Sequence, residues 1–115
     1  MKINIRTNIP AVSTRLMKNP AKIGRAIKKA IQKSALLVER HAKMRTPVDT
    51  GRLRSSIKTT LSRMTATVNP TVDYAIFVHD GTSRMKGRPF MKLGAEDAKD
   101  KIQTVFEREI RGALR

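Results

Sequence analysis

The sequence has no cysteine, few aromatic residues and few acids. Without cysteine the chain can form no disulfide and has no thiol chemistry, and cysteine-ligated zinc is excluded. Aromatic residues make up 3% of the chain, so aliphatic side chains must fill most of its core. No apolar run approaches the roughly 18 residues needed to cross a bilayer, and the opening residues lack the apolar segment of a signal peptide. We therefore expect no membrane association and a protein made and kept in the cytosol.

The shortage of acids leaves a large positive charge. The chain has 25 lysines and arginines against 9 acidic residues, a net charge of +16. Such a charge creates a field that attracts polyanions or acidic protein surfaces. The cations are scattered along the whole chain rather than gathered in one tail, which indicates a folded positive surface.

Length and composition predict one domain spanning residues 1–115. The hydrophobic fraction of 39% and the charged fraction of 30% are typical of a globular chain. For this mass, surface scaling predicts about 6,300 Å² of exposed area in the folded state. We therefore expect one core.

The clearest local pattern is an amphipathic helix from Pro20 to about Arg45. Asn19 is a good N-cap, and proline is favoured at the first helical position. Thr46-Pro47 ends the helix, because the residue before a proline is pushed out of the helical region. Such a helix would be about 39 Å long, longer than the expected domain, so one end should project towards a neighbour. The residues predicted to face inward are Ile23, Ile27, Ile31, Ser34, Leu37, Val38 and Ala42.

The remaining patterns predict a small sheet and a second long helix. Ile3 and Ile5 alternate with polar residues, as in a short edge strand. Two alternating runs, Ile57/Thr59/Leu61 and Met64/Ala66/Val68, predict a hairpin. One or two helical turns should follow near Tyr74, Phe77 and Val78, and a long helix should begin near Pro89. The residues predicted to face inward on that helix are Phe90, Leu93, Ala98, Ile102, Val105, Phe106 and Ile110, and those predicted to face outward are Glu96, Asp97, Lys99, Asp100, Lys101 and Arg108. We expect an α+β fold, with two long helices packed on a small antiparallel β-sheet and with at least three of the four aromatic residues in the core.

Asp49-Thr50-Gly51 has the sequence of the aspartic-protease triplet, in which two copies share a proton between their carboxylates. That site needs apolar strands around it, whereas Arg52-Leu53-Arg54 follows here, and nearby guanidinium groups would keep both aspartates ionised. The simpler interpretation is a turn, in which Asp49 bonds its own backbone and Gly51 takes a positive φ.

The segment Thr82–Arg88 carries Arg84, Lys86 and Arg88 beside two hydroxyl side chains. It could contact DNA phosphates, but it lacks the Gly-Lys-Ser/Thr ending of a Walker A loop. With little apolar surface to fix it, this segment should be mobile in the free protein and should order against a neighbour.

Neither histidine has the setting of a catalytic or metal-binding residue. His79 lies beside Asp80, but no serine, cysteine or orienting group accompanies them in a recognisable motif. A surface or capping role is favoured for His79, and a position flanking the core for His41. We expect no catalytic residue, no metal and no cofactor.

Four phrases, taken together and in order, resemble the small neck proteins of long-tailed bacteriophages, known as head-tail joining or tail-completion proteins. They are Pro47-Val48-Asp49-Thr50-Gly51-Arg52-Leu53, Tyr74-Ala75, Gly81-Thr82-Ser83-Arg84 and Arg88-Pro89-Phe90. His79-Asp80 departs from the pattern, which has an acidic residue and then an aromatic before the glycine.

The resemblance implies a non-enzymatic virion protein that forms a homo-oligomeric ring between the head and the tail. Its implied partners are the connector or a head-completion protein and the tail tube or tail terminator protein, with nonspecific contact to genomic DNA in addition. Assembly would take place in the host cytoplasm. The alternative is a small basic DNA-binding protein acting alone. Candidate interface or DNA-contact residues are Asp49, Arg52, Arg54, Arg84, Lys86 and Arg88.

Overall fold

A computed structural model of the chain describes residues 2–6, 20–47 and 51–114. Within these residues two long helices pack against a three-stranded antiparallel sheet, so the predicted α+β architecture is confirmed. None of the described helices has the length and apolar character needed to span a membrane. In chain order the elements are β1 (Ile3–Arg6), α1 (Pro20–Arg45), α2 (Arg52–Ser56), β2 (Ile57–Leu61), β3 (Thr65–Pro70), α3 (Ala75–Asp80) and α4 (Phe90–Ala113).

The sheet has the strand order β1-β3-β2, with β3 in the centre. Ile5 pairs with Ala66, and Thr59 pairs with Val68. The edge position of β1 and the β2–β3 hairpin therefore agree with the sequence prediction. Alternate residues of β3 are buried, as a half-buried strand requires, and Ile5 of β1 and Ile57 of β2 are buried beside them.

Strand β2 has the predicted bounds, whereas β3 begins one residue later than its alternating pattern predicts. Leu61 is the last residue of β2 and Met64 lies in the turn, and both side chains are exposed. Ser62 donates its backbone N–H to the carbonyl of Thr65 at 2.7 Å, and this hydrogen bond closes the turn. The alternation therefore continues beyond the surface that the helices cover.

The two long helices form an antiparallel pair. Arg45, at the end of α1, contacts Asp97 near the start of α4, while Lys33 contacts Glu109 near its end. Helix α1 has the predicted bounds, and its predicted inward residues are buried except Leu37, which is partly exposed. Three further residues of α1 that the periodicity did not include, Ala26, Ala30 and Ala35, are also buried.

The helices approach most closely where Gly94 meets Ala42. A Cβ atom placed on Gly94 would lie 2.5 Å from both the Cα and the backbone nitrogen of Ala42. Real side chains do not come this near to backbone atoms. A glycine is therefore needed for this crossing.

Helix α2 was not predicted. The sequence suggested a turn followed directly by a strand, whereas Arg52–Ser56 forms a short helix that begins after Gly51. The predicted positive φ of Gly51 is confirmed at 77°. The carbonyl of Gly51 accepts the N–H of Ser55 at 2.9 Å, and Leu53 is buried. Five residues are too few to show a helical period in the sequence.

The molecule is longer than a compact domain of its size. Its radius of gyration is 16.5 Å and its longest dimension is 57 Å, against a radius of about 13 Å for a compact chain of this length. The accessible surface of 8086 Å² likewise exceeds the predicted value. The two long helices, of 26 and 24 residues, are each about 36 to 39 Å long.

The aromatic residues are less buried than predicted. Phe90 is fully buried, and Phe106 packs against the core while remaining partly exposed. Tyr74 and Phe77 are 37% and 57% exposed, so the prediction of at least three core aromatics was wrong. Helix α3 is apolar on nearly all sides, and only part of it can face the core.

Candidate interaction surfaces

Helix α3 and the segment after it are fixed to the core at three points. Ala75 is buried, and Val78 packs against the core while remaining partly exposed. Arg88 donates its backbone N–H to the carbonyl of Val78 at 2.9 Å. Residues Thr82–Arg88, which lie between α3 and α4, are called the basic loop below.

Two glycines hold the two ends of this loop together. Gly81 has φ 86° and ψ 177°, a conformation essentially restricted to glycine. A Cβ on Gly81 would lie 2.5 Å from the nitrogen of Gly87, and one on Gly87 would lie 2.5 Å from the carbonyl carbon of Asp80. The loop can therefore close at its base only because both positions lack a side chain.

The loop is a hydrogen-bonded turn whose cations are exposed. Thr82 donates its N–H to the carbonyl of Met85 at 2.8 Å, and the N–H of Arg84 reaches Oγ1 of Thr82 at 3.3 Å. Arg84, Lys86 and Arg88 all lie at the surface. Backbone hydrogen bonds rather than apolar contacts shape this turn. Its mobility in solution stays a prediction for hydrogen exchange to test.

The other candidate residues lie on different elements. The guanidinium of Arg52 lies 5.8 Å from the ring centroid of Tyr74, which immediately precedes α3. Arg54 donates Nε–H to the carbonyl of Lys43 at 2.9 Å, in the last turn of α1, where a cation is favoured. Arg52 is thus linked to the α3 region, whereas Arg54 caps a helix. Asp49 lies outside the described residues.

His79 is largely buried rather than a surface residue, which corrects the sequence interpretation. Its side chain is 12% exposed, and Nδ1 lies 2.8 Å from Oδ1 of Asp80. Its ring meets Phe90 edge-on, with the centroids 5.3 Å apart. The Nε2 atom is buried without a hydrogen-bond partner. The ring therefore serves as packing between α3 and the start of α4.

His41 flanks the core as predicted, and its Nε2 atom lies 3.4 Å from Nζ of Lys101. No cluster of histidine and acidic side chains suited to a metal ion occurs in the described part of the chain.

The exposed side of α3 forms an apolar patch that the motifs did not reveal. The α3 patch consists of Tyr74, Ile76 and Phe77, with Met85 of the basic loop also exposed. Ile76 is 48% exposed. A signal is nonetheless present in the sequence, because Ala75-Ile76-Phe77-Val78 is a continuous apolar run and a short surface helix cannot bury all of its sides.

A second apolar surface lies on α4, near its C-terminal end. Phe106, Ile110 and Leu114 follow one another at intervals of four residues, so they share one side of the helix. They line a groove of about 460 Å³, called the α4 groove below, together with Gln103, Glu107 and Arg111. The sequence pattern placed Phe106 and Ile110 inward, but both are only partly covered.

Two ion pairs join α1 to α4, and both acids lie on the C-terminal side of Gly94. Arg45 donates Nε–H and Nη2–H to the two carboxylate oxygens of Asp97 at 2.6 and 3.0 Å. This hydrogen bond lowers the pKa of Asp97 and raises that of Arg45. The hydrogen bond from Lys33 lowers the pKa of Glu109, to which the charges of Lys29 and Arg108 also contribute.

The first half of α1 carries cations without any acid. Between Pro20 and Lys33 the helix has five cations, of which Arg25, Lys28, Lys29 and Lys33 are exposed. Glu39 is the first acidic residue of α1. The end of the helix pair that contains the α4 groove is therefore strongly positive.

Residues 11–81 match the model of a protein family described as "Bacteriophage HK97-gp10, putative tail-component". The match includes α1, the sheet hairpin and α3, and it ends before the basic loop and α4. Neither the curated proteins nor the solved structures give a match to this chain.

Proposed function

Because this chain belongs to the HK97-gp10-like family of phage tail components, we propose that it is a head-tail joining or tail-completion protein, assembling as a ring between the connector and the tail. Membership of this family makes the chain a component of the virion. The family match carries the proposal, since it spans well over half of the chain.

The described surfaces suit a protein that works by binding. Its exposed features are a basic loop, an apolar helix patch and an apolar groove, each presented by an element that is packed on the core. A joining protein needs such surfaces on more than one side, because it must contact copies of itself and both neighbouring assemblies. We propose a structural role, without enzymatic activity.

We propose that the basic loop contacts an acidic neighbour or DNA phosphate at the junction. Arginine pairs well with carboxylate and phosphate because its planar group donates two parallel hydrogen bonds. The glycine-closed base of the loop holds Arg84 and Arg88 at the surface next to α3. Arg52 belongs to the same proposed contact region through Tyr74, Asp49 is proposed from its sequence motif alone, and Arg54 has a capping role.

The test is a phage in which both Arg84 and Arg88 are replaced by alanine. Both side chains are exposed, so thermal stability should change little, while joining fails and electron microscopy shows filled heads and separate tails. The matched control replaces Lys92 and Lys99, two exposed cations of α4, and should give normal particles. Normal particles from the Arg84→Ala/Arg88→Ala phage would show that the loop has no part in joining.

The alternative, a basic protein that binds DNA by itself, is favoured by the acid-free first half of α1. The relevant measurement is the affinity of the purified monomer for duplex DNA as a function of salt. A protein that neutralises several phosphates shows a slope of log affinity against log salt of about −0.9 for each phosphate. A steep slope with tight binding by the monomer would support this alternative, and weak binding at physiological salt would reject it.

A further inference from the structure

We propose that the exposed side of the first half of α1 binds the phosphate backbone of duplex DNA. The contact residues are Arg25, Lys28 and Lys29, called the α1 basic face below, with Lys22 and Lys33 at its borders. This inference rests on the proposed function and deepens it, because it names the surface of the joining ring that would meet the DNA at the junction.

The positive charge of the chain is concentrated around this face. The first 38 residues hold nine cations and no acid. Helix α1 has eight cations and one acid, whereas α4, its partner in the helix pair, has five of each. The excess positive charge of the helix pair therefore lies on α1.

The acid of α1 and the acid of α4 that contacts its first half are both engaged by other lysines. Glu39 lies 3.8 Å from Nζ of Lys43. Glu109 accepts a hydrogen bond from Lys33, which lowers the pKa of Glu109, and the charge of Lys29 lowers it further. Glu109 thus offsets part of the local charge, and for that reason Lys33 is not counted in the face.

The three residues of the face are exposed and form no ion pair with the acids in the described part of the chain. Lys28 and Lys29 follow Arg25 by three and four positions, so the three share one side of the helix. The opposite side carries the buried Ile23 and Ile27. Because the helix is packed on the core, these charges are held side by side before any partner binds.

The composition of this side favours DNA over an acidic protein. Among residues 21–35 of α1, all of which the structure describes, no large apolar side chain is exposed. Protein interfaces are centred on buried apolar and aromatic side chains and are poor in lysine, whereas contacts to a phosphate backbone need little besides cations. Helix α1 also has no phenylalanine, tyrosine or tryptophan to stack on an unpaired base, so a duplex is favoured over a single strand.

The spacing of the cations suits a duplex. From Lys22 to Lys33 the helix rises about 16 Å, and a DNA duplex carries one negative charge for about every 1.7 Å of its axis. A row of cations of this length therefore faces several phosphates in any register and with any base sequence. A few cations in one copy give weak binding, and the copies of a ring would add their contacts to the same DNA.

The test is the affinity of the purified chain for a fluorescently labelled duplex, measured by anisotropy over a range of salt concentrations. The variant Arg25→Gln/Lys28→Gln/Lys29→Gln keeps good helix formers and should bind more weakly at low salt. Each phosphate contact contributes about 0.9 to the slope of log affinity against log salt, so the slope should become shallower by about 2 to 3. Circular dichroism should show unchanged helix content, because all three side chains are exposed. The charge-conserving variant Arg25→Lys/Lys28→Arg/Lys29→Arg should bind like the original chain.

The matched control removes the same number of exposed cations from α4, where acids are interspersed among them. The control variant is Lys92→Gln/Lys99→Gln/Lys101→Gln, and its slope should change by about 1 or less. Equal changes of slope in the two triple variants would overturn the inference, because binding would then follow net charge alone. Absence of binding at low salt would overturn it as well. Tighter binding of polyglutamate than of DNA at equal charge concentration would overturn it in favour of an acidic protein partner.

Immunogold electron microscopy of purified phage particles separates this inference from the proposed function. If the chain is labelled at the neck while both triple variants change the slope equally, the inference fails and the proposed function stands. If the chain is absent from the particles while only the α1 variant loses DNA binding, the α1 basic face is supported. The proposed function is then rejected in favour of the DNA-binding alternative.

Discussion

At the residue scale, Gly94 sets the distance between the two long helices. Its missing side chain leaves space that the backbone of Ala42 occupies. Helix propensity alone disfavours glycine in the interior of α4, so the residue is explained by the packing and not by the helix.

Replacing Gly94 by alanine should therefore destabilise the protein, although alanine is the better helix former. Overpacking of this kind costs about 1–3 kcal/mol, from which a helix-propensity gain of about 1 kcal/mol is subtracted. The control is Gly24→Ala in α1, where a Cβ would meet nothing within 4 Å, and which should stabilise by about 0.5–1 kcal/mol. Urea unfolding of both variants would show opposite shifts, and equal shifts would refute the close crossing.

Phe77 and Phe90 make a second residue-scale comparison, because they are the same residue in opposite environments. Phe90→Ala should cost about 3–5 kcal/mol, since the ring is fully buried. Phe77→Ala should cost about 0.5 kcal/mol or less in the monomer, as is usual at surface positions. Chemical denaturation of dilute protein measures both. A large cost for Phe77→Ala would mean that this ring belongs to the monomer core.

The burial of individual residues was predictable where a long helix supplied the period. The inward side of α1 and the exposed acids of α4 could be read from the spacing alone. The short α3 could not, because its apolar residues follow one another and the sequence does not say which of them the core covers. The role of Gly94 could not be predicted either, because the backbone that it makes room for, at Ala42, belongs to another helix.

At the element scale, α1 and α4 are held together by buried aliphatic side chains and by two ion pairs at their sides. The ends of α1 were predictable because Asn19-Pro20 and Thr46-Pro47 are strong local signals. The antiparallel pairing of α1 with α4, and the residues of their ion pairs, were not. They depend on how elements distant in sequence are placed.

The ion pairs predict how stability depends on pH. Both Asp97 and Glu109 have a pKa lowered by their basic partners. Their contribution is fully present above the pKa values of the unfolded chain, and it is lost as the pH falls through the lower values of the folded protein. The urea concentration at the midpoint of unfolding should therefore decrease as the pH is lowered below about 5.

The variant Asp97→Asn/Glu109→Gln should show a lower midpoint at pH 7 and a shallower fall in acid. Its control, Glu96→Gln/Asp100→Asn, neutralises two exposed acids of α4 and should retain the steeper pH dependence of the original chain. An identical pH dependence in the two double variants would show that the ion pairs between the helices contribute nothing measurable.

At the scale of the whole molecule, an elongated and strongly basic chain exposes different surfaces towards its two ends. Composition predicted the positive charge, and the four motif phrases predicted the family. The α3 patch and the α4 groove emerge only from the fold, because each is defined by what the rest of the chain fails to cover.

The most direct test of the central proposal is a cryo-electron microscopy reconstruction of the neck of purified phage particles. We expect several copies of this chain in a closed ring between the connector and the tail tube. A reconstruction with the junction fully built from other proteins, and no copy of this chain within it, would contradict the account.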